Sequence, residues 1–210
     1  MDLIDNLVKE EYLKTPKIIK AFRKIIRKDF VREEDKGEAF GNYPLSIGHG
    51  QTISQPLTVA FMLELLQPES GDKILDVGSG SAWTSNLLAE LVGSKGSVIG
   101  LERIEKLRLY GEENSHKYEY LEDGILKFVK GDGNIGLPQE SPFDKILVSA
   151  SAPSLPTKLL EQLKDGGVMV VPIGEWYGSQ DIVWMQKENN NKYSEKRYPG
   201  FVFVPLVEDK

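Results

Sequence analysis

A chain of 210 residues, 40% hydrophobic and 28% charged, has the composition of one globular domain long enough to bury a core without covalent staples. It holds no cysteine and two histidines, which excludes disulfides, thiolate nucleophiles and cysteine zinc sites, and argues against a histidine-rich metal centre. A formal charge of −6 argues against free nucleic acid as a partner, since such binding rests on cations meeting phosphates.

From Asp2 to Lys28 apolar residues recur at helical spacing, interrupted at Thr15-Pro16. Thr15 reads as an N-cap and Pro16 as a first helical residue, so two short helices are expected. The basic stretch Lys17 to Lys28 reads as a solvated helix face, with Lys20, Arg23, Lys24 and Arg27 opposite Ile18, Ile19, Phe22, Ile25 and Ile26. Arg32 to Pro44 reads as an irregular connection and Ser46 to Ser54 as a polar loop. Pro56 to Leu66 is a strongly apolar helix, ended by Pro68.

The rhythm then alternates. Lys73 to Val77 reads as a buried strand, Ser81 to Val92 as a helix, and Ser97 to Leu101 as a strand with Glu102 just past its end. Ile104 to Tyr120 is a polar helix, followed by strands at Ile125 to Val129, Lys145 to Ser149 and Val168 to Val171. A helix from Leu155 to Leu163, closed by Asp165-Gly166-Gly167, lies between the last two. After Pro172, Ile182 to Gln186 and Phe201 to Leu206 read as an antiparallel pair separated by the polar Lys187 to Lys196. The fold class expected is α/β: a Rossmann-like, doubly wound, mostly parallel sheet with helices on both faces, N-terminal helices and a C-terminal antiparallel strand pair. One domain over 1–210 is expected, with a helical extension and loop at 1–55 and the Rossmann-like core at 56–210. The N-terminus lacks a signal-peptide pattern, and no apolar run approaches the roughly 18 residues of a membrane span, so the cytoplasm is the expected location.

The chemistry concentrates after the first of these strands. Gly78-Ser79-Gly80-Ser81-Ala82 is a turn in which backbone can approach a ligand, and the next helix aims free N–H groups into the same space. Such a turn alone is shared by many nucleotide binders. Glu102, at the next strand end, can accept hydrogen bonds from two ribose hydroxyls and would repel a 2′-phosphate. Asp132, in Gly131-Asp132-Gly133, can accept from an exocyclic amine such as adenine N6, or can simply form a turn. Both NAD and S-adenosylmethionine offer adenine and ribose. Asp76 before the first glycine, and Trp83 where a dinucleotide fingerprint wants glycine, favour the cationic cofactor. No G-x-S-x-G elbow surrounds Ser79 or Ser81, so a serine triad does not fit.

At Pro44-Leu45-Ser46-Ile47-Gly48-His49-Gly50-Gln51-Thr52-Ile53-Ser54-Gln55-Pro56 the chain resembles the protein-L-isoaspartate (D-aspartate) O-methyltransferase family. The resemblance continues through Gly131 to Gly136, Pro142-Phe143-Asp144, Ala150 to Pro153, Leu160 to Gly167 and Phe203-Val204-Pro205-Leu206. It implies methyl transfer from S-adenosylmethionine to the α-carboxylate of L-isoaspartyl residues, with isoaspartyl peptides and proteins as partners, no nucleic acid, no membrane, no metal and a monomeric enzyme. It implies Ser54 as the active-site serine, unless that side chain caps the following helix. By the same resemblance Gln51, Thr52 and Ile53 line cofactor or substrate, beside Asp76, Gly78, Ser79, Gly80, Glu102, Asp132 and Gly133 as cofactor-binding residues. His49 is expected to pack in the loop or line the substrate, because a carboxylate nucleophile needs no base. Three departures stand out: Ala82 for the third glycine of the turn, Leu57 for an aromatic or histidine, and Val207 for a polar residue. Other readings are a methyltransferase for another carboxylate or small molecule, an inactive cofactor-binding module, and an NAD-dependent oxidoreductase.

Overall fold

Five apolar runs flanked by glycine or proline become the parallel part of a central sheet in the computed structural model, which describes residues 3–175, 178–188 and 192–206. The chain opens with helices α1 (Leu3–Lys9) and α2 (Pro16–Lys24). A short hairpin follows, β1 (Leu45–Gly48) against β2 (Gln51–Ile53), and then α3 (Pro56–Leu66). The alternating core comprises β3 (Lys73–Val77), α4 (Trp83–Val92), β4 (Ser97–Glu102), α5 (Glu105–Ser115), β5 (Leu126–Lys130), β6 (Phe143–Val148), α6 (Thr157–Glu161) and β7 (Leu163–Ile173). Strands β8 (Gln180–Lys187) and β9 (Tyr193–Phe201) complete a seven-stranded sheet of order β5-β4-β3-β6-β7-β8-β9.

Successive strand residues serve opposite faces, as the pleat demands. Ile74 and Val98 join a core with α2, α3 and α4, whereas Leu75 and Ile99 join a second core with Leu159 and Leu160 of α6. The first core runs without a break from Leu7 of α1 to Val170 of β7, so the N-terminal helices are packed into the body of the sheet. From β3 the chain winds outward one way to β4 and β5 and the other way to β6 and β7, which leaves a crevice between the diverging crossovers.

Several expectations need correction. The segment read as a polar loop at 46–54 is largely the β1–β2 hairpin, whose tip Gly48-His49-Gly50 holds φ of +88°, +54° and +72°. The helix expected to reach Tyr120 stops at Ser115, whose hydroxyl donates to Gly111 O, and Tyr118 turns away to bond Asp29 across the molecule. Asp165-Gly166-Gly167 does not close a helix. It lies inside β7, because α6 already ends at Glu161 and the Gln162 side chain is bonded to Leu137 N, Ile135 O and Lys158 O. The last strand is Tyr193–Phe201 rather than Phe201 to Leu206, with Ile182 opposite Tyr198. Thr15 precedes α2 but its hydroxyl donates to Glu64 Oε2 of α3 at 2.7 Å instead of capping its own helix. Asp2, where the first helix was expected to begin, and Val207 lie outside the described residues.

Arg27 is the largest departure from the expected solvated face. It is 4% exposed, because α2 ends at Lys24 and the chain tightens into a 3₁₀ turn, Arg27–Phe30, that no longer follows the helical wheel.

Candidate active site

Strand β3 is fully apolar on its buried stretch except at Asp76, then empties into the glycine turn. Gly78 and Gly80 hold φ of +78° and +52°, conformations that let the main chain double back beneath α4. Ala82 holds the same left-handed conformation at +75° as the residue before α4. The left-handed conformation costs alanine about 1–2 kcal/mol, part of which its fully buried methyl, worth about 0.8 kcal/mol, offsets. Its methyl is no part of the cleft wall: it faces α5 at Gly111, where an added Cβ would lie 3.1 Å from Ala82 Cβ and 2.8 Å from Gly80 O.

Glu102 ends β4 and is 7% exposed. Its Oε2 accepts from Gly80 N at 2.9 Å and its Oε1 from Ile104 N at 2.9 Å. The carboxylate thereby fixes the glycine turn to the next loop, and each oxygen retains a second lone pair for a ligand hydroxyl. Asp76 lies behind the turn, fully buried, with Oδ2 accepting from Ser85 Oγ at 2.6 Å and Oδ1 unpartnered. Burial pushes its carboxyl up to about 7; the Ser85 hydrogen bond opposes that rise and the Glu102 charge adds to it. Asp76 is absent from the cleft wall, so direct contact with a cationic cofactor, as its position in the sequence suggests, does not follow from this geometry. Asp132 is half-buried and closes a turn through Oδ1 with Asn134 N at 2.8 Å, while its neighbours Gly131 and Gly133 line the cleft.

These strand ends border an open cleft lined by Ile47 and Ile53 of the hairpin and by Gly78 to Ser81, Leu101, Glu102 and Leu206. Ser79 lines this wall, and its buried hydroxyl has no hydrogen-bond partner among the described residues. The turn, the unpartnered hydroxyl and the Glu102 carboxylate together fit an adenosine cofactor. A second, open cavity adjoins the first, and the two share Gln51, Thr52, Ser54, Ser149, Val204 and Pro205. None of the described residues lining this second cavity is charged.

Ser54 stands on the shared wall. The helix-capping alternative fails for it, because Gln55 occupies the cap position of α3 and the cap bond comes from Asn42, whose Oδ1 accepts from Leu57 N at 3.0 Å. Leu57 itself packs against the core and lines neither cavity. His49 is exposed at the hairpin tip and also lines neither, so loop packing is not its role. Among the described residues no group of three or more metal-ligating side chains forms.

Sequence reasoning overlooked Ser149 and Ala150 after β6, the Val204 to Leu206 segment as a cleft wall, and Trp83 as a lining residue. Ser151 N donates to Val204 O and Leu206 N to Ser151 O, pairing that wall with the end of β6. Only the glycines around His49 hinted at the hairpin; nothing local announces the Val204 to Leu206 contact, which is made across about 50 residues of chain.

An open α/β sheet with this turn, an acidic residue ending the neighbouring strand and an antiparallel carboxyl-terminal extension defines the Rossmann-like methyltransferase class. The chain belongs to the protein-L-isoaspartate(D-aspartate) O-methyltransferase family, whose model matches residues 1–210. It is 41% identical over 208 residues to a protein-L-isoaspartate O-methyltransferase of Methanopyrus kandleri, covering 99% of this chain and 91% of that one. A relative of the same name from Aeropyrum pernix is 42% identical over 205 residues, covering 98% and 78%. Among solved structures, a Plasmodium falciparum chain described as a protein-L-isoaspartate O-methyltransferase, in complex with S-adenosyl-L-homocysteine, superposes with a TM-score of 0.88 at 27% identity over 99% of this chain and 97% of that one.

Proposed function

We propose that this chain transfers a methyl group from S-adenosylmethionine to the α-carboxylate of L-isoaspartyl residues in proteins, with Ser54 orienting that carboxylate. One observation carries the reading: Ser54 lies on the wall common to the two cavities, where a group held in one meets a group held in the other. When bound, S-adenosylmethionine supplies a methyl already activated on a sulfonium. The chain's own residues then have three tasks. Glu102 accepts from ribose hydroxyls while Gly78, Ser79, Gly80 and Gly133 shape the adenosine cradle, and Asp132 holds the Gly131–Gly133 turn in place through Asn134. Gln51, Thr52 and Ser54 face the substrate carboxylate, with the Ser54 hydroxyl donating to the oxygen that does not attack. Ile53, Ala150 and Leu206 exclude water. No base is required, because a carboxylate with a pKa near 4 is already ionised, so catalysis is alignment and desolvation.

The test is methyl transfer from labelled cofactor to an isoaspartyl peptide beside its aspartyl twin. Label should enter the first alone and leave in mild base as methanol, because the product is an ester. Equal labelling of both peptides, or of neither, refutes the reading, and calorimetric binding of NAD in place of S-adenosylhomocysteine would move the chain to another class. Ser54→Ala is expected to lower kcat by about tenfold or more while S-adenosylhomocysteine affinity changes by less than about threefold.

A further inference from the structure

We infer that Arg27 is a positioning residue for methyl transfer, acting through the main chain of Ser54. The inference rests on the role given to Ser54 above. The Arg27 guanidinium reaches four carbonyls on two segments: Nη1 donates to Ala39 O at 3.0 Å and Gly41 O at 3.2 Å, and Nη2 to Tyr43 O at 2.9 Å and Ser54 O at 3.2 Å. Its Cζ lies 5.6 Å from the centre of the Trp83 ring, a residue that lines the cleft, and Trp83 Nε1 donates to Ile25 O at 3.2 Å. One side chain therefore ties the substrate-side segments to the cofactor side.

The energetics make stability an incomplete explanation. No carboxylate among the described residues pairs with Arg27, and its Nε is buried without a partner. A buried cation held only by carbonyls is a poor choice for stability compared with a well-packed apolar group. What it supplies is direction. A planar fork fixes several acceptors at once, which a lysine ammonium cannot reproduce. Ser54 follows the three-residue strand β2 and precedes α3, and among the described residues only Arg27 donates a hydrogen bond to its carbonyl. Asn42 holds the neighbouring residues in the same manner, accepting from Gln55 Nε2 through its carbonyl and from Leu57 N through its side chain.

The experiment is a double-mutant cycle on the full chain: Arg27→Lys, Arg27→Met, Ser54→Ala and the two doubles, with kcat for the isoaspartyl peptide, S-adenosylhomocysteine affinity and thermal stability measured for each. The methionine variant removes the charge with the fork, so it is expected to fold even where a lone buried ammonium prevents it. In the parent background both Arg27 variants should lower kcat by about 10- to 100-fold, the scale of a misplacement of about 1 Å, with S-adenosylhomocysteine affinity within about threefold. In the Ser54→Ala background the same changes should lower kcat by less than about threefold, since the group being positioned is gone. A fall in melting temperature with kcat per folded molecule unchanged makes Arg27 merely structural and overturns the inference. Equal losses in both backgrounds overturn it too, as does a parallel loss of cofactor binding. If Ser54→Ala alone leaves kcat intact, the role of Ser54 fails and the inference falls with it; if only the Arg27 variants are silent, the role of Ser54 stands.

Discussion

Asp76 and Glu102 place two carboxyl groups around one glycine turn, and they solve the resulting problem differently. Glu102 accepts two main-chain hydrogen bonds, one to each carboxylate oxygen. Asp76 has one hydroxyl donor and no exposure, so burial raises it from 3.8 to about 7. Between those values the folded chain keeps a proton that the unfolded chain has lost. The contribution of this site to stability therefore rises as the pH falls through that window and is lost as the pH rises through about 7. Asp76→Asn keeps an acceptor for Ser85 and removes the titration. Denaturant unfolding of both proteins at about pH 8 and about pH 5 should show the parent gaining on the variant at the lower pH. Parallel pH dependences would show that Asp76 ionises in the folded chain as it does in water.

At the scale of elements, α3 illustrates how a helix end can depend on distant chain. Its own cap residue, Gln55, makes no side-chain cap bond, and Asn42 supplies it from the preceding loop. Asn42→Ala should cost about 1 kcal/mol, a fall of about 2–4 °C in melting temperature for a chain of this size. An unchanged melting curve would mean that water caps the helix as well. The same dependence on distant chain explains what the sequence withheld. Strand β3, its glycine turn and Glu102 were legible because burial on both faces and local turn chemistry write themselves into consecutive residues. Strand β9 was misplaced because it is an edge strand with exposed Glu195, Lys196 and Arg197, which carry no apolar alternation. The hairpin was missed because strands of four and three residues are too short for a period to show. Within the site, the glycine turn, Ser54 and Glu102 line the cleft, whereas Asp76, bonded to Ser85, and Asp132 do not.

For the whole molecule, net charge acts on substrates before any contact is made. At −6 the chain repels acidic peptides and attracts basic ones, and a Debye length of about 10 Å at about 0.1 M salt screens both effects. Added salt should lower KM for an isoaspartyl peptide with acidic flanks and raise it for one with basic flanks, leaving kcat nearly constant. Equal shifts for both peptides would show that salt acts on the fold or the chemistry instead of the approach. Inside the second cavity, the described residues carry no charge at all. An isoaspartyl site and an aspartyl site are isomers, identical in atoms and in charge, differing only in where the carboxylate branches from the chain. A lysine or arginine there would hold either isomer and blunt the distinction. Neutral hydroxyls and amides with fixed directions reward only the isomer whose carboxylate arrives at the right angle. Under the function proposed above, an uncharged wall makes the enzyme a reader of connectivity.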